Sequence, residues 1–196
     1  LAGALDAFPE IIVEGVRALD AGASTGGFTD VLLRRGAREV VAVDVGYGQL
    51  AWELRQDPRV LVLDRTNIRH LTGDVVGEPT GIVVADLSFI SLTLVLPALS
   101  AVSKPDADFL LMVKPQFEVG REKLGAGGVV RDPILRKSAV MDVAMSAYDV
   151  GLGTKGVVAS SLPGPAGNVE YFLWLKRGAG EISQSVLDKA IEIGPQ

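Results

Sequence analysis

The amino-acid sequence predicts an α/β fold: a doubly wound, mostly parallel seven-stranded sheet with an antiparallel edge strand. Three observations support this prediction. Seven apolar runs rich in β-branched residues recur along the chain, and segments with helical spacing separate most of them. The first five runs are short and end against Asp, Gly or Lys-Pro, as strands buried on both faces do. Repetition of strand, helix and strand indicates a parallel sheet covered by helices.

The predicted strands follow the apolar runs in order. They are Val16–Leu19, Val40–Val43, Val60–Leu63, Ile82–Val84, Phe109–Val113, Val157–Ala159 and Val169–Leu175. Turn-forming residues from Pro163 to Asn168 separate the last two runs. We therefore expect Ala159 and Val169 to flank an antiparallel excursion at the far edge of the sheet.

Helical spacing marks five segments. They are Thr29–Arg35, Gln49–Arg55, Leu92–Ser100, Ile134–Val150 and Ser183–Ile193. Asp132 and Pro133 are a favourable start for the fourth, because Asp caps a helix and Pro suits its first turn. We expect the fifth to be loosely attached, within a C-terminal helix and tail over residues 181–196. No linker or repeat divides the chain, so residues 1–196 are expected to form one domain.

Composition excludes several kinds of chemistry. The 196 residues contain no Cys and one His, His70, which excludes thiolate nucleophiles, disulfides and Cys/His zinc sites within this chain. We expect no bound metal. His70 lies in a polar connection and is expected at the surface rather than in a catalytic site.

The charge is acidic overall but uneven. A net charge of -5 argues against a free-standing nucleic-acid binder. Residues 114–137 are the exception, with six basic against three acidic side chains.

The first residues indicate the compartment. Acidic side chains at Asp6, Glu10 and Glu14 are unlike a secretory signal, and the longest uncharged run, Leu87–Ser103, is broken by Pro97. We expect a cytoplasmic protein without a membrane partner. Because the chain starts at Leu1 without Met, we also expect it to be a piece of a longer protein.

A Gly-rich turn directly after the first strand indicates a nucleotide-type site. Backbone N–H groups point outward where such a turn opens a helix. The candidate cofactor residues are Asp20, Gly22, Ala23, Ser24, Thr25, Gly26, Gly27 and Phe28. Asp44 and Val45 close the second strand, where a carboxylate accepts ribose hydroxyls in such folds. Asp64 and Asp86 end two further strands on the same edge.

The spacing fits both a dinucleotide and S-adenosylmethionine. The glycines depart from the G-x-G-x-x-G pattern of dinucleotide sites. A carboxylate at Asp20 would repel a pyrophosphate, whereas it suits a cofactor with a sulfonium and an ammonium group. This favours S-adenosylmethionine.

Two further motifs follow the fourth and fifth strands. The segments 85–89 (ADLSF) and 114–118 (KPQFE) should meet beside the cofactor at the carboxyl edge. Methylation of exocyclic base nitrogens commonly uses Asn or Asp followed by two prolines and an aromatic residue. Because 86–89 lacks both prolines, amine methylation is disfavoured.

These motifs, together with 20–29, 114–120 (KPQFEVG) and 167–172 (GNVEYF), resemble the catalytic domain of TlyA-type proteins, haemolysin-named relatives of FtsJ-like ribosomal RNA methyltransferases. The resemblance implies a Rossmann-like class I methyltransferase. It implies methyl transfer from S-adenosylmethionine to a ribose 2′-oxygen, that of a cytidine in TlyA enzymes, by a Lys-Asp-Lys-Glu tetrad. Three tetrad members match Asp86, Lys114 and Glu170. The fourth, a Lys, would lie immediately before Leu1.

The RNA contacts are predicted from the basic stretch and two aromatic residues. They are Phe89, Phe117, Arg121, Lys123, Arg131, Arg136 and Lys137, which flank or adjoin a glycine loop at 125–128 expected to close over substrate. The resemblance also implies an N-terminal S4-like RNA-binding domain and ribosomal RNA or ribosomal subunits as partners. This chain on its own is therefore expected to be a poor methyltransferase on ribosomal RNA.

Two other functions stay open at this point. An NAD-binding Rossmann oxidoreductase is compatible with the spacing of the Gly-rich turn. A pore-forming haemolysin is suggested only by the name that the similar proteins carry, and the sequence lacks an amphipathic cationic helix.

Overall fold

The computed structural model describes residues 1–194, whose strands form one seven-stranded sheet. The strands are β1 (Arg17–Ala21), β2 (Glu39–Val43), β3 (Val60–Leu63), β4 (Thr80–Ala85), β5 (Ser103–Val113), β6 (Leu152–Ala159) and β7 (Tyr171–Arg177). Their order is β3-β2-β1-β4-β5-β7-β6. The first five strands pair in parallel, and β7 pairs antiparallel with both β5 and the outermost β6. The predicted doubly wound sheet with an antiparallel strand towards its edge is confirmed.

Helices connect the strands and cover both faces. They are α1 (Ala2–Ala7), α2 (Gly27–Arg34), α3 (Trp52–Gln56), α4 (Gly73–Val76), α5 (Leu96–Ala101), α6 (Pro115–Glu118), α7 (Pro133–Asp149) and α8 (Gln184–Ile193). The short α1, α4 and α6 were not predicted, because four to six residues show no helical period. The predicted helix over Leu92–Ser100 is divided into a 3₁₀ turn and α5, since Pro97 belongs in the first turn of a new helix.

Alternate residues of the central strands enter two different hydrophobic cores. On one face Leu19, Val41 and Phe109 pack with side chains of α5, α7 and α8. On the other face Val40 and Leu110 pack with side chains of α1 and α2. Burial on both faces explains why these strands read as continuous apolar runs rather than alternating ones.

The C-terminal helix is firmly packed, so the prediction of a loose attachment is wrong. Leu187, Ala190 and Ile191 are buried in the same core as β5 and α7. Helical spacing placed the helix but could not show which surface it would cover. Residues 195 and 196 of the predicted tail lie outside the described residues.

The sheet topology brings distant segments to one edge. The carboxyl ends of β1, β2, β4 and β5 lie at this edge because these strands are parallel. Strand β7 runs the other way, and its first residue, Tyr171, pairs with Val113 at the end of β5. The segment before β7 therefore lies beside the segment after β5.

None of the helices within residues 1–194 combines the length and the hydropathy that a membrane-spanning helix needs.

Candidate active site

The turn between β1 and α2 adopts a conformation that requires glycine. The N–H groups of Gly22 and Ala23 both donate to the Val43 carbonyl, which draws the turn towards β2. Gly22 has φ +86°, and a Cβ there would lie 2.5 Å from the backbone oxygen of Asp86. The Gly-rich turn therefore packs directly against the segment that follows β4.

Asp44 fixes the same turn from the end of β2. Its carboxylate accepts hydrogen bonds from the backbone N–H of Ser24 at 2.9 Å and of Gly46 at 2.7 Å. Ser24 has φ +48°, an uncommon conformation for a residue with a side chain. The hydrogen bond from its N–H to Asp44 helps to hold this conformation.

A cavity of about 380 Å³ opens beside this turn at the carboxyl edge of the sheet. Its described lining includes two carboxylates and no Lys or Arg side chain. The lining residues are Gly22, Ser24, Asp44, Val45, Gln49, Asn67, Ile68, Asp86, Leu87, Ser88, Phe89, Ile90 and Val95. The sequence analysis missed several of them, notably Asn67 and Ile68. These two lie in the loop after β3, four and five residues beyond Leu63, and their place in a loop at the carboxyl edge was the available signal.

Asp20 lies beneath the turn and outside the cavity lining. It is fully buried and accepts a 2.6 Å hydrogen bond from the Thr29 hydroxyl. Burial raises the pKa of Asp20 to about 7, the Thr29 hydrogen bond lowers it, and the charges of Asp86 and Asp44 raise it further. Asp20 was expected at the cofactor, whereas the structure buries it beneath the turn and leaves it outside the cavity lining.

Gly22, Ser24, Asp44, Val45 and Asp86 line the cavity as predicted, whereas six further predicted cofactor residues do not. Asp64 pairs with Arg55 at 2.8 Å, and the hydrogen bond from Arg55 lowers the pKa of its carboxyl group. Asp64 is held in this ion pair and does not line the cavity, in contrast to Asp44. The remaining residues shape the turn or the start of α2 without lining the cavity, and they are Ala23, Thr25, Gly26, Gly27 and Phe28.

Lys114 and Glu170 lie close to Asp86, which lines the cavity. Lys114 Nζ lies 2.5 Å from Asp86 Oδ1 and 3.4 Å from Ser88 Oγ. These two residues meet because β4 and β5 are parallel neighbours. Glu170 approaches from the start of β7 and accepts a 3.0 Å hydrogen bond from Gln116 Nε2. The sheet thus places all three predicted tetrad residues in one cluster.

Burial changes the acidity of Glu170. The residue is 5% exposed, and its burial raises the pKa of the carboxyl group. The hydrogen bond from Gln116 and the charge of Lys114 lower this pKa, while the charge of Asp86 raises it. Glu170 is therefore a stronger proton acceptor than a carboxylate in water.

Phe89 projects from the cavity rim into solvent. It is 91% exposed and has φ +64°, a conformation that costs a residue with a side chain about 1–3 kcal/mol. Its ring lies 5.1 Å from the ring of Phe117, centroid to centroid, at 50°. Phe117 is half-buried, so the exposed ring of Phe89 is the one that can receive a planar group at the mouth of the cavity.

The basic stretch is less uniform than predicted. Lys123 and Arg131 are exposed. Lys137 is half-buried and pairs with Asp188 of α8 at 2.5 Å. Arg136 is 6% exposed, and its guanidinium donates to the backbone oxygens of Val130 and Arg131. The side chain of Arg121 lies outside the described residues.

Arg136 is therefore unsuited to bind RNA, and its prediction as an RNA contact is wrong. Its guanidinium holds the end of the glycine loop at 125–128 from one side. Asn168 holds the loop from the other side, because its amide accepts from Val130 N at 2.9 Å and donates to Gly128 O at 3.1 Å. The loop expected to close over substrate is anchored. His70 is exposed, as predicted.

Comparison with known proteins agrees with this geometry. The family model of FtsJ-like methyltransferases matches residues 1–177. The 16S/23S rRNA (cytidine-2′-O)-methyltransferase TlyA of Mycobacterium tuberculosis is 63% identical over 90% of this chain. YqxC of Bacillus subtilis, named as an rRNA methyltransferase, is 42% identical over 96% of this chain and 67% of its own length. The chain spans 65% of the length of the M. tuberculosis protein.

Solved structures share the fold. A hemolysin-named protein from Lactococcus lactis superimposes with a TM-score of 0.91 at 40% identity, covering 97% of this chain and 92% of the other. An S-adenosylmethionine-dependent methyltransferase from Listeria monocytogenes has a TM-score of 0.65 at 13% identity, covering 90% of this chain and 98% of the other. The second similarity shows the fold alone.

Proposed function

The chain belongs to the FtsJ-like methyltransferase family, and from this premise we propose that it transfers a methyl group from S-adenosylmethionine to a ribose 2′-hydroxyl of ribosomal RNA. A cytidine is the proposed target, since this is the nucleotide named for the M. tuberculosis relative. The observation that carries the proposal is the cluster of Asp86, Lys114 and Glu170 at the end of the cavity.

The cavity fits S-adenosylmethionine better than a dinucleotide. Asp44 and Asp86 line it, and no described Lys or Arg side chain does, so a pyrophosphate would meet only like charge. Asp44 would accept the ribose hydroxyls of the cofactor, and Gly22 and Ser24 would support its chain. When bound, the cofactor supplies a methyl group activated by a sulfonium. A volume of about 380 Å³ lies within the range of small-molecule sites.

The cluster can orient and deprotonate a hydroxyl. Two of the three N–H donors of Lys114 face Asp86 and Ser88, which leaves one for the ribose oxygen. Lys114 therefore orients the hydroxyl and stabilises the charge that develops on its oxygen. Asp86 would accept the proton that the hydroxyl loses. The charge of Glu170 would help to keep Lys114 protonated, and alignment of the hydroxyl with the methyl group would supply much of the rate.

RNA would approach over the rim of the cavity. In this proposal the exposed Phe89 and its half-buried neighbour Phe117 would stack on the target base, and the exposed Lys123 and Arg131 would meet phosphates. We assign the protein to the cytoplasm, where ribosomal RNA is found. The remaining length of the relatives would supply an N-terminal S4-like RNA-binding domain. The implied tetrad Lys would precede Leu1, which lies within electrostatic range of Asp86.

Two measurements test this proposal. Calorimetric titration of this chain should show binding of S-adenosylmethionine and none of NAD. Methyl transfer to intact ribosomal subunits should be weak with this chain and strong with a version extended upstream of Leu1. Equal turnover by the two versions would show that residues 1–196 suffice, and the proposed need for upstream residues would fail. Transfer by neither version would overturn the proposed function.

The two alternative functions are not favoured. The family match is to methyltransferases, and the carboxylate-lined cavity opposes a dinucleotide. A relative from Brachyspira hyodysenteriae carries the name Hemolysin A, but the carboxyl-edge cluster is suited to methyl transfer and gives no basis for pore formation.

A further inference from the structure

The short helix α6 joins all three loops of the candidate active site. Lys114, immediately before it, pairs with Asp86 of the loop after β4. Gln116, within it, donates a hydrogen bond to Glu170 of the loop before β7. Its last residue, Glu118, has no part in the function proposed above. This residue makes a further link to the loop after β4.

Glu118 binds that loop through two hydrogen bonds. Its carboxylate accepts from the Ser91 hydroxyl at 2.5 Å and from the Leu92 N–H at 2.9 Å. Burial raises the pKa of Glu118, the two hydrogen bonds lower it, and the charge of Asp142 raises it. A partly buried carboxylate that accepts two short hydrogen bonds holds its donors firmly.

The loop held in this way carries the exposed aromatic ring. Phe89 lies two residues before Ser91 in the sequence, and its positive φ is a conformation that surrounding contacts must impose. The ring is almost fully exposed, so burial of its own side chain cannot impose it. Phe117, which contacts the ring, immediately precedes Glu118 in α6. Glu118 thus fixes the loop of one ring to the helix of the other.

We propose that Glu118 is a positioning residue that holds Phe89 against Phe117, and thereby sets the aromatic pair for the target base. This inference rests on the proposed function, because it gives the pair its substrate. A carboxylate that only stabilised the 3₁₀ turn at Leu92–Leu94 would lower stability when removed, without a selective effect on the RNA substrate.

Kinetics of a double-mutant cycle separate these roles. In the protein extended upstream of Leu1, we expect Glu118→Ala to raise KM for ribosomal subunits about tenfold while kcat changes less than about threefold. Phe89→Ala should raise KM at least as much. The double variant should be no worse than Phe89→Ala, because no ring is left to position. Independent, multiplicative effects of the two substitutions would overturn the proposal.

Two control variants complete the kinetic experiment. Glu118→Gln keeps an acceptor oxygen of similar reach and should restore most of the loss in KM. Asp108→Asn disturbs a carboxylate of β5 that accepts hydrogen bonds from Trp174 and Lys176. It should lower the melting temperature and leave KM unchanged. A similar rise in KM for Asp108→Asn would show that lost stability explains the result, and the proposal would fail.

A spectroscopic measurement decides the inference independently of methyl transfer. The chain contains six Phe residues, so fluorine-labelled Phe gives a spectrum that can be assigned by substitution. Glu118→Ala should shift the resonances of Phe89 and Phe117 and leave those of Phe8 and Phe109 in place. Unchanged Phe89 and Phe117 resonances would overturn the positioning role even if methyl transfer is observed. Shifted resonances without methyl transfer would support the positioning role and refute the proposed function.

Discussion

The two ends of the cavity are built in different ways. At the cofactor end, the continuous turn from Gly22 to Gly27 is shaped by backbone conformation, and one side chain, Asp44, fixes it. At the chemistry end, Asp86, Lys114 and Glu170 come from three separate loops. Lys114 pairs with Asp86, and Gln116, two residues after Lys114, binds Glu170. The first end therefore depends on which residues are adjacent in sequence, whereas the second depends on which strands are adjacent in the sheet.

The largest expected effect lies at the chemistry end. Asp86→Ala or Lys114→Ala in the upstream-extended protein should reduce methyl transfer by about 10³-fold, because each removes a group that orients or deprotonates the hydroxyl. The melting temperature should change little. The measurement is single-turnover methylation of ribosomal subunits.

A matched ion pair gives the control for this prediction. Lys176 of β7 pairs with Asp108 of β5 at 2.9 Å, and neither residue lines the cavity. Lys176→Ala should keep full activity. Near-normal turnover by Asp86→Ala or Lys114→Ala would show that the substituted residue is not needed for methyl transfer. The assignment of chemistry to this end of the cavity would then be wrong.

The second effect concerns the point where the two ends touch. Gly22→Ala would place a Cβ against the Asp86 carbonyl in a residue with positive φ. We expect a loss of at least about 2 kcal/mol in the free energy of unfolding, together with weaker cofactor binding. Chemical denaturation and calorimetry measure the two losses.

Gly73→Ala is the matched control for Gly22→Ala. A Cβ at Gly73 would meet nothing within 4 Å, so this substitution should leave stability and cofactor binding nearly unchanged. A similar result for Gly22→Ala would show that the turn does not need glycine at this position. Backbone conformation at Gly22 would then contribute less to the cofactor end of the cavity than we propose.

The contrast also explains what could be predicted from the sequence. All seven strands were found because each contains an apolar run. Burial on both faces accounts for this run in β1, β2 and β4, but not in the partly exposed β3. The Gly-rich turn was found because its residues are contiguous. The start of β5 at Ser103 was missed because Lys104, Pro105 and Asp106 are exposed and interrupt the apolar pattern. Strand prediction thus followed apolar sequence and failed where the strand has none.

The sequence could not predict which side chains would line the cavity. Asp44 and Asp64 both follow strands at the same edge, yet Asp64 pairs with Arg55 and does not line the cavity. Arg136 lies in a basic stretch and is nevertheless buried, since the carbonyl groups of the preceding loop need a donor. In each case a neighbour supplied by the fold decided the outcome.

The third effect returns to the cofactor end. Asp44→Ala should weaken binding of S-adenosylmethionine by roughly 1–3 kcal/mol without unfolding the chain, because the ribose hydroxyls and the turn both lose their acceptor. Asp44→Asn keeps one acceptor oxygen and should recover part of the loss. Calorimetric titration measures both. Asp64→Ala, outside the cavity, should bind normally; equal weakening by Asp44→Ala and Asp64→Ala would contradict the assignment of the ribose ligand.

The smallest expected effect is a dependence of the free energy of unfolding on pH. It separates the contribution of the Asp20 charge from the contribution of its hydrogen bond. The pKa of Asp20 is raised to about 7 in the folded protein, chiefly by burial, from its ordinary value of 3.8. Between these two values the folded state holds a proton that the unfolded state has lost. Its contribution to stability is therefore fully present below about pH 4 and is lost as the pH rises through about 7.

Asp20→Asn should remove this dependence, because an amide still accepts the Thr29 hydrogen bond and does not titrate. From pH 6 to pH 8, the variant should gain about 1 kcal/mol in the free energy of unfolding relative to the wild type. Urea denaturation at the two pH values measures the free energy of unfolding of both proteins. Because both proteins contain Glu118 and Glu170, the titration of these residues cancels when the two free energies are subtracted. A constant difference would mean that Asp20 stays in one ionisation state across this range. A buried carboxylate beneath the turn would then contribute only its hydrogen bond, and the cofactor end would rest on backbone conformation and Asp44 alone.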